Sequence, residues 1–168
     1  IEERPIKNEY AHLYWEEHKR KGITEYEAKS LLRERNYFAA MMVKSGHADA
    51  MLSGYSRSYA TVIKPVMQCI DKAKGVTRIA ATNLMLTDQG PLFLSDTSIN
   101  IDPSAKELAK IAQMNHHMVQ LFGFKPTIAL LSYTNFGASS HPNARKVSEA
   151  VAYLHRYYPE MEVDGPLQ

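Results

Sequence analysis

The stretch Thr127–Lys146, TIALLSYTNFGASSHPNARK, predicts more about the fold than any other part of the chain. Its apolar run Thr127–Leu131 has the length of a buried strand, and Pro142 suits the first turn of a helix. A polar, glycine-containing loop lies between them. In open α/β sheets, ligands bind at such a junction between strand and helix. The free N–H groups at the start of the helix favour an anion, most commonly phosphate.

Helical and strand patterns alternate on both sides of this stretch. The predicted helices are Lys7–Lys21, Glu25–Ser45, Ser58–Lys74, a segment that starts at Asp102–Pro103 and ends at Gly123, and Pro142–Tyr157. The predicted strands are Ala48–Leu52, Val76–Leu86, Leu92–Leu94, Thr127–Leu131 and Met161–Val163. Strands separated by helices of about 15 residues imply a mostly parallel sheet. A turn at Thr87–Gly90 makes a hairpin, so we expect the sheet to be mixed.

Local end signals support several of these helices. Thr24 and Glu27 have the spacing of a capping box, and Gly46 is suited to end the helix that follows. Asp102 is the expected N-cap of a later helix, with Pro103 at its first position. Pro65 must kink its helix or mark a new start.

Composition excludes several classes of protein. The 168 residues include 20 basic and 18 acidic side chains, and a formal charge of +2 indicates neither a nucleic-acid nor a membrane partner. No apolar run has the length of a membrane span, and no signal peptide opens the chain. The single cysteine, Cys69, suits a reducing compartment, and we expect it to be a packed small hydrophobe. These features predict a cytoplasmic protein.

The two ends suggest an excerpt from a longer polypeptide. The chain begins at Ile1 and stops at Gln168, just after an apparent strand. The alternation of strand and helix is interrupted near Lys74–Gly75, which predicts a domain boundary there.

Three polar junctions are candidates for the functional site, and the first is Ser53–Ser58. Gly54 allows close approach of the backbone to a ligand, Ser53 and Ser56 supply donors, and Arg57 offers a bidentate grip on phosphate. An ordinary turn between strand and helix, with Ser58 as N-cap, explains the same residues.

The second junction, Ser95–Asp102, is the weakest candidate. Asp96 lacks a second free acid or a histidine at ligand spacing, so a metal site is not favoured. The third junction is the loop after Leu131, for which ligand binding is the favoured interpretation. His141 lies beside that loop and is interpreted either as a ligand contact or as an ordinary residue at a helix start.

Several motifs in order resemble the phosphate acetyltransferase and butyryltransferase family. They are ADAMLSG at Ala48–Gly54, KPVMQ at Lys64–Gln68, Asp96-Thr97 with Asn100, Asp102-Pro103, and DGPLQ at Asp164–Gln168. Acetyltransferases tend to read LSYSTKGS in the central loop, whereas Leu131–Ser139 has an Asn-Phe-Gly core. This loop resembles the C-terminal region of the large bacterial NADP-dependent malic enzymes. Such enzymes decarboxylate malate oxidatively to pyruvate on a separate N-terminal part.

The resemblance implies a two-lobed, three-layer αβα fold with mostly parallel sheets, present here as a fragment. Residues 1–75 would form part of a first lobe that lacks segments at both ends of the chain. Residues 76–168 would form a second lobe with a mixed sheet. Related domains pair through a broad interface, which implies a homo-oligomer.

Two departures from the acetyltransferase pattern bear on activity. Those enzymes resemble this chain but usually carry arginine where His18 and Lys64 stand. Lysine lacks the planar fork of arginine, and histidine lacks its permanent charge. A transferase aims its cations at charge that develops in the transition state, so such losses reduce turnover more than binding. The catalytic segment of the family would lie beyond Gln168.

The resemblance therefore implies a regulatory domain that binds acetyl-CoA or a related acyl-CoA, without catalytic or metal-binding residues of its own. Its phosphates suit helix N-termini together with Arg57, Lys64 and Lys146. NADP and a divalent metal, Mg or Mn, would belong to the missing malic enzyme part. The predicted ligand-binding residues are Ser53, Gly54, Ser56, Arg57, Lys64, Ser132, Tyr133, Thr134, Asn135, Phe136, Gly137, Ser139 and Lys146.

Two other functions remain open from the sequence. The first is a phosphate acetyltransferase, which converts acetyl-CoA and phosphate to acetyl phosphate and CoA. The second is a structural dimerisation module that has lost its ligand.

Overall fold

The computed structural model of the protein describes residues 5–168. The chain divides into two compact units, of which the first ends at Ala73 and the second begins at Lys74. Each unit has a hydrophobic core of its own. None of the described helices combines the length and the apolar character that crossing a membrane requires.

The first unit is built from helices. They are α1 (Pro5–His18), a 3₁₀ turn (Lys19–Lys21), α2 (Glu25–Leu31), α3 (Arg35–Lys44) and α4 (Tyr59–Cys69). The side chains that fill its core include Tyr10, Tyr14, Leu32, Met41 and Cys69.

The predicted start of α2 is confirmed. The Thr24 hydroxyl accepts a hydrogen bond from the Glu27 N–H at 3.2 Å, and the Glu27 carboxylate accepts one from the Thr24 N–H at 2.8 Å. This capping box satisfies two donors that a helix start leaves free. Gly22 adopts a φ of 89°, which ends the preceding 3₁₀ turn.

The prediction of one helix from Glu25 to Ser45 is wrong, because α2 and α3 are separate. The Glu34 carboxylate accepts hydrogen bonds from the N–H groups of Asn36 (2.8 Å) and Tyr37 (3.1 Å). It thereby acts as an N-cap, and a new helix begins at Arg35. A side-chain acceptor that competes for free backbone donors starts a helix regardless of the apolar period across it.

The predicted strand Ala48–Leu52 is also wrong. Residues 5–73 contain no strand, and the Leu52 side chain is fully exposed, at 102% of its reference area. A strand needs a neighbour for its backbone groups, and the described part of this unit offers none. The helix after this segment, α4, continues through the buried Pro65 and ends at Cys69, five residues before the predicted end at Lys74.

The second unit contains both helices and strands. Its elements are β1 (Thr82–Thr87), β2 (Gly90–Ser95), α5 (Ala105–Leu121), β3 (Thr127–Leu131), α6 (Pro142–Tyr157) and β4 (Glu162–Leu167). The predicted bounds of β3 and α6 are confirmed. The first predicted strand of the hairpin starts at Thr82 rather than at Val76.

The strands of this unit form two sheets of two strands each. The prediction of one mixed sheet is therefore wrong for the residues that the structure describes. In the antiparallel hairpin, Thr82 of β1 lies opposite Ser95 of β2. In the parallel pair, Thr127 of β3 lies opposite Glu162 of β4. The described chain is therefore an α/β fragment with one antiparallel and one parallel pair.

The start of α5 differs from the prediction. Ser104, rather than Asp102, is its N-cap, and the Glu107 carboxylate accepts a hydrogen bond from the Ser104 N–H at 2.8 Å. Asp102 instead forms an ion pair with Lys146 of α6, with 2.5 Å between Oδ1 and Nζ. Ser104 wins because Glu107, three residues later, completes a reciprocal capping box with it. Asp102 has no glutamate or glutamine at that spacing.

One face of α6 holds the second core together. Ala150 and Leu154 of α6 are fully buried, and they belong to a cluster with Leu130 of β3 and Val163 of β4. This packing fixes the carboxyl end of β3, and with it the loop that leads into α6.

Candidate functional site

The first predicted junction forms one wall of a cleft in the first unit. The cleft has a volume of about 240 Å³. It is lined by Arg35, Asn36, Ala39, Met51, Leu52, Ser53, Gly54, Ser56 and Arg57. The structure therefore brings together four of the predicted ligand-binding residues: Ser53, Gly54, Ser56 and Arg57.

A tight turn presents these residues. Gly54 has a φ of 132° and Tyr55 a φ of 50°, and the Ser56 N–H donates to the Gly54 carbonyl at 2.6 Å. A positive φ at tyrosine is uncommon, and such strain clusters at ligand-binding and switch segments.

The start of α3 supplies two cleft residues that sequence reasoning missed, Arg35 and Asn36. Asn36 is only 2% exposed, and its Oδ1 accepts a hydrogen bond from the Ser53 hydroxyl at 2.7 Å. This bond links the helix start to the turn 17 residues later in the chain. The sequence feature that could have identified both residues is Glu34. Its interpretation as an N-cap would have placed Arg35 and Asn36 at the start of a helix.

The cleft carries uncompensated positive charge. No aspartate or glutamate lines it, and neither Arg35 nor Arg57 forms an ion pair with any residue from 5 to 168. By contrast, Lys44 in the same unit pairs with Glu17 at 2.5 Å and with Asp71 at 3.4 Å. Two free guanidinium groups at one opening favour an anion with several oxygens.

Lys64 does not line this cleft. It lies exposed on α4, one residue before Pro65. Ser58 stands at the N-cap position of α4, and its hydroxyl bonds the Thr61 hydroxyl at 2.7 Å rather than a backbone N–H. The turn is thus both the entry to a helix and a wall of the cleft.

His18 takes part in the first core. It is 7% exposed, its ring stacks on that of Tyr14 at 4.2 Å between centroids, and its Nδ1 donates to the Tyr14 carbonyl at 2.9 Å. The His18 ring and its Nδ1 are thus engaged with Tyr14 inside the core.

The remaining predicted residues lie in the second unit, in the loop after β3 and on α6. The Ser132 N–H donates to the Leu167 carbonyl at 2.7 Å, and the Phe136 N–H donates to the Pro166 carbonyl at 2.8 Å. The Asn135 amide oxygen accepts from the Gln168 N–H at 2.7 Å. These groups join the loop to the end of β4, so they are already used by the fold.

The start of α6 is partly capped as well. His141 is its N-cap, and its Nδ1 accepts from the Asn143 N–H at 3.2 Å. The Ser139 hydroxyl bonds the Tyr133 hydroxyl at 2.9 Å and accepts from the His141 N–H at 3.2 Å. His141 is therefore a helix-start residue in this structure.

The other predicted groups of this loop differ in their availability. Phe136 and Gly137 have φ values of 41° and 77° and are exposed, whereas Thr134 is half-buried. Lys146 is held by Asp102, so its charge is compensated. Several polar groups of the loop are thus bonded within the second unit, whereas the two arginines of the cleft have no ion-pair partner among residues 5–168.

The titratable groups with the largest pKa changes lie away from the cleft. Burial raises the pKa of Cys69 to about 12 and that of Tyr14 to about 12. Cys69 is a packed core residue, as predicted. Residues 5–168 contain no group of three or more His, Cys, Asp or Glu side chains that could hold a metal ion.

Comparison with known proteins identifies the family. The family model described as phosphate acetyl/butaryl transferase matches residues 1–168. The chain belongs to this family. A phosphotransacetylase structure from Streptococcus pyogenes is 35% identical, with a TM-score of 0.78, over 96% of this chain and 48% of that one. The EutD phosphotransacetylase of Staphylococcus aureus is 29% identical, with a TM-score of 0.81, over 99% and 51%.

Relatives in the family carry two different names. A phosphate acetyltransferase from Helicobacter pylori is 36% identical over 96% of this chain and 31% of its own length. An NADP-dependent malic enzyme from Escherichia coli is 35% identical over 92% of this chain and 21% of its own length. This chain thus spans about half of the solved relatives and less than a third of these two proteins. Because the identities are similar, they establish the family without choosing between the two names.

Proposed function

We propose that this chain is the regulatory, acetyl-CoA-binding part of an NADP-dependent malic enzyme that converts malate to pyruvate and CO₂. The observation that carries the proposal is His18, which lies buried and stacked where acetyltransferases resembling this chain usually carry arginine. A transferase that loses a cation there loses stabilisation of developing charge. The 35% identity to the Escherichia coli malic enzyme agrees with this proposal, and the 36% identity to the Helicobacter pylori transferase keeps the alternative open.

Binding of an anionic ligand survives this loss. The free Arg35 and Arg57, with the Ser53 and Ser56 hydroxyls, line a cleft that contains no carboxylate. Acetyl-CoA carries a diphosphate and a 3′-phosphate, and arginine recognises such groups well. The Ser132–Ser139 loop, Lys64 and Lys146 remain proposed contacts for other parts of the ligand.

Acetyl-CoA acts in this proposal as an allosteric inhibitor. It must bind one conformation of the oligomer better than another, because a ligand shifts an equilibrium only by its differential affinity. The chain contributes to a homo-oligomer in the cytoplasm, and NADP with Mg or Mn binds in the malic enzyme part.

Calorimetric titration of the full-length protein with acetyl-CoA tests this function. We expect saturable binding, together with slower malate-dependent reduction of NADP when acetyl-CoA is present. Absence of saturable binding at millimolar acetyl-CoA would reject the regulatory function. Binding without any change in malate oxidation would restrict this part of the protein to a structural role.

Phosphate acetyltransferase activity is the second candidate, and the likeness to the Helicobacter pylori enzyme and to the two solved phosphotransacetylases favours it. The test is formation of acetyl-CoA from acetyl phosphate and CoA by the full-length protein. Turnover that rises in a His18→Arg variant would show that the site still performs transfer and that His18 limits it. A complete lack of turnover in both proteins excludes this candidate.

A further inference from the structure

We propose that the cleft between the start of α3 and the Ser53–Arg57 turn is a site for a terminal phosphate, a phosphomonoester dianion held between Arg35 and Arg57. One source of that phosphate is the 3′-phosphate of an acyl-CoA, and this assignment rests on the proposed function. Free inorganic phosphate is the other source with the same chemistry.

Charge is the first argument for a dianion. Arg35 and Arg57 are exposed, line one cleft and have no acidic partner among residues 5–168. Two guanidinium groups supply two positive charges, which a phosphomonoester at neutral pH balances. Each planar fork donates two parallel hydrogen bonds to neighbouring oxygens of one group.

The size of the cleft is the second argument. Pockets that enclose a whole drug-sized ligand measure roughly 300–1,000 Å³. This cleft, at about 240 Å³, is smaller, so it accommodates one chemical group and its immediate attachment. A phosphomonoester is terminal and has three free oxygens, enough for two arginine forks that share one oxygen. Each phosphate within a substituted diphosphate has fewer free oxygens, and the ligand chain continues on both sides of the pair.

Asn36 provides the third argument. Its side chain is 98% buried by area, since it is 2% exposed, and its Nδ2 has no hydrogen-bond partner in the described structure. Leaving such a donor unpaired is unfavourable. The only other buried side-chain atom without a partner among residues 5–168 is Glu34 Oε1, and Glu34 does not line the cleft. An anion in the cleft supplies the acceptor that the Asn36 amide lacks.

The test compares three ligands by calorimetry on the full-length protein: acetyl-CoA, 3′-dephospho-acetyl-CoA and inorganic phosphate. The variants are Arg35→Gln, Arg57→Gln and the conservative Arg57→Lys. Arg33→Gln is the matched control, because Arg33 is an exposed arginine two residues before Arg35 that does not line the cleft. Melting temperatures check that each variant is folded.

We expect the wild type to bind acetyl-CoA more tightly than its 3′-dephospho form. Arg35→Gln and Arg57→Gln should each weaken the binding of acetyl-CoA by about tenfold or more, which is the loss of affinity expected when a hydrogen bond to a charged group is removed. Binding of the dephospho ligand should not change. Arg57→Lys should fall between the wild type and Arg57→Gln, and Arg33→Gln should match the wild type.

The outcomes separate this inference from the proposed function. If acetyl-CoA and its dephospho form bind equally, or if the variants weaken both alike, the phosphate site is wrong although acetyl-CoA binding stands. If neither acyl-CoA binds, the proposed function fails, and the titration with inorganic phosphate then tests whether the cleft is a phosphate site. Saturable phosphate binding that Arg35→Gln and Arg57→Gln weaken, but Arg33→Gln does not, supports a free-phosphate site. No phosphate binding overturns the inference.

Discussion

Cys69 shows how burial controls chemistry at a single residue. Its side chain is 1% exposed and packs in the first core with Tyr14. Removing a thiol from water disfavours its charged form, and this desolvation raises the pKa of Cys69 from 9.0 to about 12. The thiolate is the nucleophile, so native Cys69 is an inert core residue near neutral pH.

The raised pKa of Cys69 predicts a loss of stability in alkali. Between pH 9.0 and about 12 the unfolded thiol releases its proton while the folded thiol keeps it. The folded state then binds more protons, so the free energy of unfolding falls as pH rises through this window. Urea denaturation at neutral pH and within the window should show this fall for the wild type and a smaller one for Cys69→Ala. If the free energy of unfolding fell equally with pH in the two proteins, Cys69 would not be the group responsible.

Arg35, Arg57 and Asn36 show the opposite situation at the residue scale. The two arginines are exposed without ion-pair partners in the described part of the chain, and the Asn36 amide is buried with a donor unpaired. Stability does not explain the unpaired amide, because an unpaired buried donor is unfavourable. Ligand binding gives both a physical reason.

At the scale of elements, caps decide where helices begin in this chain. The reciprocal bonds of Thr24 with Glu27 and of Ser104 with Glu107 start α2 and α5, and the Glu34 carboxylate starts α3. The break at Glu34 places Arg35 and Asn36 at a helix start, where Asn36 accepts a hydrogen bond from the Ser53 hydroxyl of the turn.

Removal of a cap should cost a measurable amount of stability. Thr24→Ala removes the acceptor for the Glu27 N–H, and we expect a loss of about 0.5–2 kcal/mol in the free energy of unfolding. Thr61→Ala is a suitable control, because its exposed hydroxyl bonds only the Ser58 side chain. Urea denaturation of both variants measures the difference, and equal stability would argue against the capping box.

The contact between β3 and β4 depends on Gly165. A Cβ at this position would lie 2.5 Å from the Leu130 carbonyl oxygen, and the φ of 149° is unfavourable for other residues. We therefore expect Gly165→Ala to reduce the free energy of unfolding by roughly 1–3 kcal/mol, the usual scale of backbone strain. Thermal denaturation measures this loss. Gly123→Ala separates the two effects, because its φ is also positive, at 82°, but open space surrounds its Cβ position.

At the scale of the whole molecule, the chain divides between residues 73 and 74 into two units with separate cores. The segment 71–75 is exposed and contains neither helix nor strand. Proteases cut most readily where backbone is exposed and outside regular structure.

Limited trypsin digestion should therefore cut early after Lys72 or Lys74. Two fragments that separate near residue 73 are expected, and mass spectrometry identifies the new ends. The Lys110–Ile111 bond lies inside α5 and should stay intact. Early cleavage within α6, for example after Lys146, would contradict the division into these units.

The sequence by itself determined the features that depend on neighbouring residues. The bounds of β3 follow from an apolar run of strand length, and the start of α6 follows from Pro142. The Thr24–Glu27 cap follows from a hydroxyl residue with glutamate three positions later. All three are local properties of the sequence. The family is also readable from local motifs such as ADAMLSG, and its profile matches the full chain.

Tertiary structure alone decided which polar groups are available. Asp102 compensates Lys146 across 44 positions, β4 takes up the donors of the loop after β3, and α3 brings Arg35 and Asn36 to the Ser53 turn. The hydrophobic pattern does not reveal such pairings, because they depend on how the elements pack and which partners reach each other in space. For that reason several polar groups of the loop after β3, favoured from sequence, are already bonded within the second unit, whereas Arg35 and Arg57 line the cleft of the first unit without ion-pair partners among residues 5–168.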